Sequence, residues 1–254
     1  MPLEPPRVKR RRDARPVYRT ADGKRVPSVT TVLGCIAKPW LVAWANRLGL
    51  QGINSTEYVD EAAGAGTITH KAIEADLKGE PMNAELIAEF SDEERTLGRV
   101  AWAAYRTWRR QHEIEPIFIE HQLVSERMRV GGTVDLFACI DGRRAVIDFK
   151  TSVRVYESHV VQLAAYRELL EEQGYQVDEV RVVLLPREPL TLEHEGERAL
   201  EDTRHALDVF RAARALYEAQ RVMEKGQKDN RKAAKQEHQV DEQSLKEFFE
   251  RAKR

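Results

Sequence analysis

Cysteine is almost missing from this chain of 254 residues, which has only Cys35 and Cys139. Two distant thiols exclude a disulfide framework and are too few for an all-cysteine zinc or iron–sulfur site. A reducing compartment is the expectation. No apolar run is long enough to span a bilayer, and the N-terminus has no apolar stretch of the kind a secretion signal needs. These absences point to a soluble, cytoplasmic protein with no membrane partner. An excess of positive charge is missing too: 41 Lys and Arg face 42 Asp and Glu, a net charge of -1. A uniformly basic nucleic-acid coat is thereby excluded, so any polyanion must be met by local clusters. The phosphate-loop pattern G-x-x-x-x-G-K-[ST] does not occur, so ATP-driven work would have to come from a partner. Internal repeats are absent as well.

What is present suffices for a globular enzyme-sized core, with 42% hydrophobic and 33% charged residues. Residues 1–16 are proline-rich and basic (RVKRRRDAR) and read as a disordered tail. That tail could be an arm for nucleic acid, a localisation signal or plain solvated chain. Residues 17–224 read as one domain and 225–254 as a charged helical or flexible tail, in which Leu245, Phe248 and Phe249 share a helical face. Asp22-Gly23 predicts a short hairpin, and Ser28 or Thr30 a cap for the helix after it, with a break at Pro39. Trp40 and Trp44, one turn apart, are expected in the core rather than as a platform for stacked bases.

Helical patterns run on to about residue 112, followed by the strand PIFIEHQLVSE and two hairpin strands. Next come a helix over 158–173, the strand EVRVVLLP, a polar hairpin arm (LTLEHEG), and a long helix with Leu200, Leu207 and Phe210 on its apolar stripe. This order predicts an α/β domain, a mixed sheet with helices on both faces.

The informative stretch is GGTVDLFACIDGRRAVIDFKTS, residues 131–152. Asp141-Gly142 is a strong signal for a two-residue hairpin loop. Ile140 then faces Arg143, and counting back sets Asp135 opposite Asp148. Val134, Leu136 and Ala138 share an apolar face with Ala145, Ile147 and Phe149, while Asp135, Asp148 and Lys150 occupy the other. A three-residue loop would move one carboxylate across the sheet. Like charges directly opposite cost roughly 0.2–1 kcal/mol, more when desolvated, so a cation is expected between them. Polar residues on a wet strand face are the ordinary alternative.

Asp135, Asp148 and Lys150 form D-x12-D-x-K. Hard carboxylate oxygens hold Mg2+, which polarises a phosphoryl oxygen and acidifies a bound water. An ammonium beside that water can orient it, deprotonate it or stabilise transition-state charge. Desolvation shifts a lysine pKa readily, which makes lysine apt where arginine would stay charged.

With those residues in place, the chain resembles the PD-(D/E)XK nucleases, and within them the RecB-like branch. GGTVDLF and VIDFKTS look like the second and third motifs, QLAAY (Gln162 to Tyr166) like Q-x-x-x-Y, and GTITHKAIE (Gly66 to Glu74) like the G-x-x-x-H helix. PSVTTVLGCIAKPWLVAWA resembles the opening of short phage-type and mitochondrial genome-maintenance exonucleases. The likeness covers about residues 26–185. No proline precedes Asp135, and the third-motif acid is aspartate, which the pattern permits.

The resemblance implies a restriction-endonuclease-like core over 17–224 with a helical N-terminal part and a long C-terminal helix. It implies Mg2+ or Mn2+, one or two ions, on His70, Asp135, Asp148 and the Phe149 carbonyl; apart from the resemblance, Glu120, which ends PIFIE on the preceding strand, could supply a third carboxylate. It also implies catalytic roles for Asp135, Asp148, Lys150, Gln162 and Tyr166, and DNA contacts from Thr151, Ser152 and Tyr166. The cysteine cluster of some relatives is absent, so no iron–sulfur cofactor is expected.

Several of these residues have ordinary alternatives. His70 lies on a face with Ala63, Ile73 and Leu77 and could be a packed core histidine. Glu120 could be a solvated edge residue, and Glu74 is expected on the helix surface. Gln162 and Tyr166 could simply belong to an amphipathic helix.

The expected activity is a metal-dependent exodeoxyribonuclease of recombination, repair or end processing, leaving 5′-phosphates, with DNA as its partner beside a recombination or helicase protein. The alternatives are a site-specific or structure-specific endonuclease and an inactive nuclease-like DNA-binding module.

Overall fold

In the computed structural model, which describes residues 16–152, 154–187 and 196–252 and side chains as far as 232, the chain opens on the expected small hairpin. β1 (Tyr18–Arg19) pairs antiparallel with β2 (Arg25–Val26), turning at Gly23 with φ of 76°. Of the two candidate caps it is Ser28 that serves α1 (Val29–Leu33), its hydroxyl accepting the Thr31 N–H at 3.0 Å. Pro39 marks the expected break, after which α2 (Trp40–Leu50) begins. Trp40 and Trp44 do not join the core. α2 buries no residue, Trp40 is 52% exposed, and Trp44 meets Tyr58 edge-on at 5.9 Å. One-turn spacing makes a shared face but cannot say whether anything covers it.

Asn54 caps the long helix α3 (Ser55–Lys78), and left-handed Gly79 ends it. The helical pattern then divides into α4 (Ala84–Ala88) and α5 (Asp92–Arg109), because Ser91 and Glu94 form a reciprocal capping box that starts a new helix. β3 (Ile114–Ser125), β4 (Val130–Ile140) and β5 (Arg143–Lys150) form the antiparallel run. α6 (Glu157–Glu172) crosses over to β6 (Glu179–Leu184), which pairs parallel with β5. β7 (Glu197–Leu200) then pairs antiparallel with β6 and completes the five-stranded mixed sheet. Leu200 therefore belongs to a strand opposite Val180, and not to the final helix α7 (Arg204–Ala252). The charged segment Glu201–Thr203 separates the two. The expected basic tail and most of the LTLEHEG arm lie outside the described residues. The segment from Arg211 onward, most of α7, stands as a unit of its own.

The alternation expected of the β4–β5 hairpin is realised. Leu136, Ala138, Ala145, Ile147 and Phe149 are all buried and pack with Tyr105 and Trp108 of α5 and Ile73 of α3. Leu136, Ile147 and Phe149 each contribute roughly 1.5–3 kcal/mol when removed from water. The opposite face is not a wet edge. Phe137, Val146 and Val182 are fully buried there, as are Leu163 and Leu169 of α6. Any charge on that face near β5 therefore sits in a low-dielectric interior.

Candidate active site

Asp141 and Gly142, with φ of 50° and 81°, form the two-residue turn that sets the register. Ile140 pairs with Arg143, and the ladder ends at Leu136 with Ile147. Asp135 and Asp148 are the next residues along the two strands, just beyond the last pair of the ladder, and Asp135 is near enough to act on the Asp148 carboxyl.

Their environments differ. Asp148 is 1% exposed. Its Oδ1 accepts from Lys150 Nζ at 2.8 Å and from Gln162 Nε2 at 3.0 Å. Gln162 Nε2 also donates to the Tyr166 hydroxyl at 3.1 Å, so the i, i+4 pair of α6 acts as one polar arm. Asp148 Oδ2 lies 2.7 Å from Nζ as an ion pair but off the line of a hydrogen bond, and no other group satisfies it. The ammonium thus sits against both oxygens of the buried carboxylate.

Asp135 Oδ2 accepts the Phe149 N–H at 2.9 Å and lies 3.6 Å from His70 Nδ1. Glu120 Oε1 stands 3.9 Å from the same nitrogen, an ion-pair distance rather than a hydrogen bond. One ligand atom each from His70, Glu120 and Asp135 fall within 4.8 Å of one another. Glu120 reaches this position at φ 47°, a left-handed conformation that costs a non-glycine residue of order 1–3 kcal/mol. Glu74, by contrast, pairs with Lys71 and Lys78 on its own helix.

Burial alone would depress the His70 pKa, but Asp135 and Glu120 outweigh it and push it up to about 9. For Asp148 burial dominates and pushes the carboxyl up, with Lys150 opposing and Asp135 adding. Lys150 moves opposite to the expectation from desolvation. Burial would lower it, yet Asp148 and Asp135 hold it above the ordinary lysine value. In this arrangement Lys150 is held as an ammonium.

The elements explain why these groups converge. α3 approaches the end of β5 at Gly66, where a Cβ would stand 3.3 Å from Thr151 Oγ1, and one turn later delivers His70. Gly132 leaves room for Tyr166, whose ring a Cβ would strike. Thr151 and Ser152 follow directly on β5. The Thr151 carbonyl accepts from Arg187 Nε at 3.0 Å, and Ser152 Oγ donates to the Arg154 carbonyl at 3.0 Å.

The structure thus gathers His70, Glu120 and Asp135 in one group and Asp148, Lys150, Gln162 and Tyr166 in an adjoining one. Phe149 contributes its N–H to Asp135 while its ring packs against Trp108. Sequence reasoning missed Tyr18, whose hydroxyl bonds Thr133 Oγ1 at 2.8 Å from 115 positions away with no local signal. It also missed His159, although its place three residues before Gln162 on the same helix was visible. The carboxylates of Glu120 and Asp135 and the imidazole of His70 are a donor set that fits a hard divalent cation.

No curated protein matches the chain. Among solved structures, the one described as "Crystal structure of SSO0001" is 12% identical, over 59% of this chain and 74% of its own, with a TM-score of 0.27. That likeness is too loose to carry an argument. The family model for the PD-(D/E)XK nuclease superfamily, however, matches residues 43–252. Its span takes in α3, the β4–β5 hairpin and α6, and on that match the chain belongs to the PD-(D/E)XK nuclease superfamily.

Proposed function

We propose that this nuclease is a divalent-metal-dependent exodeoxyribonuclease of the RecB-like branch, acting on DNA ends in recombination or repair. The observation that carries the reading is the juxtaposition of the His70–Glu120–Asp135 group with the buried Asp148–Lys150 pair. His70, Glu120, Asp135 and Asp148 are the residues to hold Mg2+ or Mn2+, with the Phe149 carbonyl as a further ligand. Such an ion polarises a phosphoryl oxygen and acidifies water. The chain's own residues do the rest. Lys150, kept cationic by the two aspartates, stabilises charge developing on the phosphoryl group. Gln162 fixes Asp148 and, with Tyr166, closes the site against bulk water on the α6 side. Thr151 and Ser152, which follow directly on β5, would contact the DNA strand, whereas Tyr166, 4% exposed, would act from beneath it through Gln162.

The test uses end-labelled single- and double-stranded DNA, linear and circular, with Mg2+, Mn2+ or EDTA. Mononucleotides or short products from linear DNA alone, and none in EDTA, are expected, and Asp135→Asn should abolish them. Equal cutting of circles would favour an endonuclease. Binding of DNA without cleavage in every metal would mark a binding module instead.

A further inference from the structure

α6 presents three polar side chains at helical spacing, His159, Gln162 and Tyr166, of which Gln162 bonds Asp148 and Tyr166 bonds Gln162. The third is half-buried, and Lys150, Asp148 and Lys38 act on it electrostatically. It therefore belongs to the same polar stripe, one turn nearer the start of the helix. Its Nδ1 accepts the backbone N–H of Tyr156 at 3.3 Å. A nitrogen that accepts cannot carry a proton, so the ring is neutral and its hydrogen is on Nε2. Among the described residues no protein group takes up Nε2.

We infer that His159 is a substrate-binding residue of this nuclease, its Nε2–H donating to a non-bridging oxygen of the DNA phosphodiester backbone beside the metal site. The inference rests on the nuclease reading. The surroundings favour an uncharged donor here. Burial first and then Lys150 hold the imidazole down to about 4, with Asp148 opposing and Lys38 adding. A second cation would compete with Lys150 for Asp148, whereas a neutral N–H binds a phosphate oxygen without disturbing that pair. Tyr156 fixes the ring in advance, so little rotamer freedom is lost when the strand binds.

Two conservative variants separate this role from simple helix capping. His159→Asn keeps an acceptor near the Nδ1 position and loses the outer donor, while His159→Gln keeps a donor near Nε2 and loses the cap. With labelled DNA and Mg2+, Asn should raise KM about tenfold or more, the loss expected for one hydrogen bond to a charged group, and leave the melting temperature in EDTA unchanged. Gln should change KM by less than Asn while lowering the melting temperature. Wild-type KM in the Asn variant, with only Gln destabilised, would make His159 a cap and overturn the inference while the nuclease reading stands. A wild-type protein that cleaves no DNA with any divalent metal would remove both.

Discussion

The two halves of the site differ in how complete they are. On the α6 side, Asp148, Gln162 and Tyr166 are nearly sealed from solvent at 1%, 9% and 4% exposure, and Lys150 supplies the positive charge they need. On the α3 side, His70, Glu120 and Asp135 are 30%, 29% and 15% exposed in their side chains, and the two carboxylates draw a proton onto the histidine. The first half is preorganised and bonded internally. The second holds its ligands close together, at a cost in backbone strain at Glu120, and is open to an ion. The contrast shows where each kind of substitution should act: on the fold for the closed half, on metal binding for the open one.

The largest effect should come from breaking the closed half at Lys150. Lys150→Ala removes transition-state charge stabilisation, so cleavage should fall by about 10²-fold or more with DNA binding retained. It also leaves Asp148 buried without its cation, which costs about 3–5 kcal/mol and is readable as a denaturation midpoint in EDTA. For the same reason Asp148→Asn should destabilise the metal-free fold, leaving the ammonium unpaired, rather than relieve it. Loss of cleavage with unchanged stability would show that Asp148 finds another partner.

Next in size is Gly132→Ala. The new Cβ would run into the Tyr166 ring, and overpacking of this kind costs typically 1–3 kcal/mol. Cleavage should fall with it, because Tyr166 and Gln162 move together. Thermal melting of Gly132→Ala beside Tyr166→Phe checks the coupling.

The open half should reveal itself through pH. In the metal-free protein His70 is raised from 6.5 to about 9. A raised pKa contributes stability fully present below about 6.5 and lost as pH rises through about 9. Stability in EDTA should therefore fall across that window, and His70→Gln should flatten the slope. The same proton opposes the ion, so Mn2+ affinity measured by calorimetry should grow as pH rises over the window. A pH-independent affinity would remove His70 from the ligand set.

The smallest effect concerns Glu120. Glu120→Gly relieves the left-handed backbone and should raise the melting temperature in EDTA, by about 1 kcal/mol of stability, while weakening Mn2+ binding. Glu120→Gln should weaken binding without the gain.

Much of this molecule was legible in its sequence because the governing rules are local. Asp141-Gly142 set a hairpin register, period-two alternation placed Asp135, Asp148 and Lys150 on one face, and i, i+4 spacing paired Gln162 with Tyr166. Caps such as Ser28 and Asn54 follow from hydrogen-bond chemistry within three residues. The tertiary structure alone decided what depends on distant packing. It left α2 and Trp40 uncovered, brought α3 past Thr151 at Gly66, turned Glu120 into the left-handed region, and set Tyr18 against Thr133. It also decided that Lys150 would be held cationic, since that balance of burial against two carboxylates exists only once the strands and α6 enclose them. Periodicity says which residues share a face, whereas only the assembled fold says what that face meets and at what dielectric.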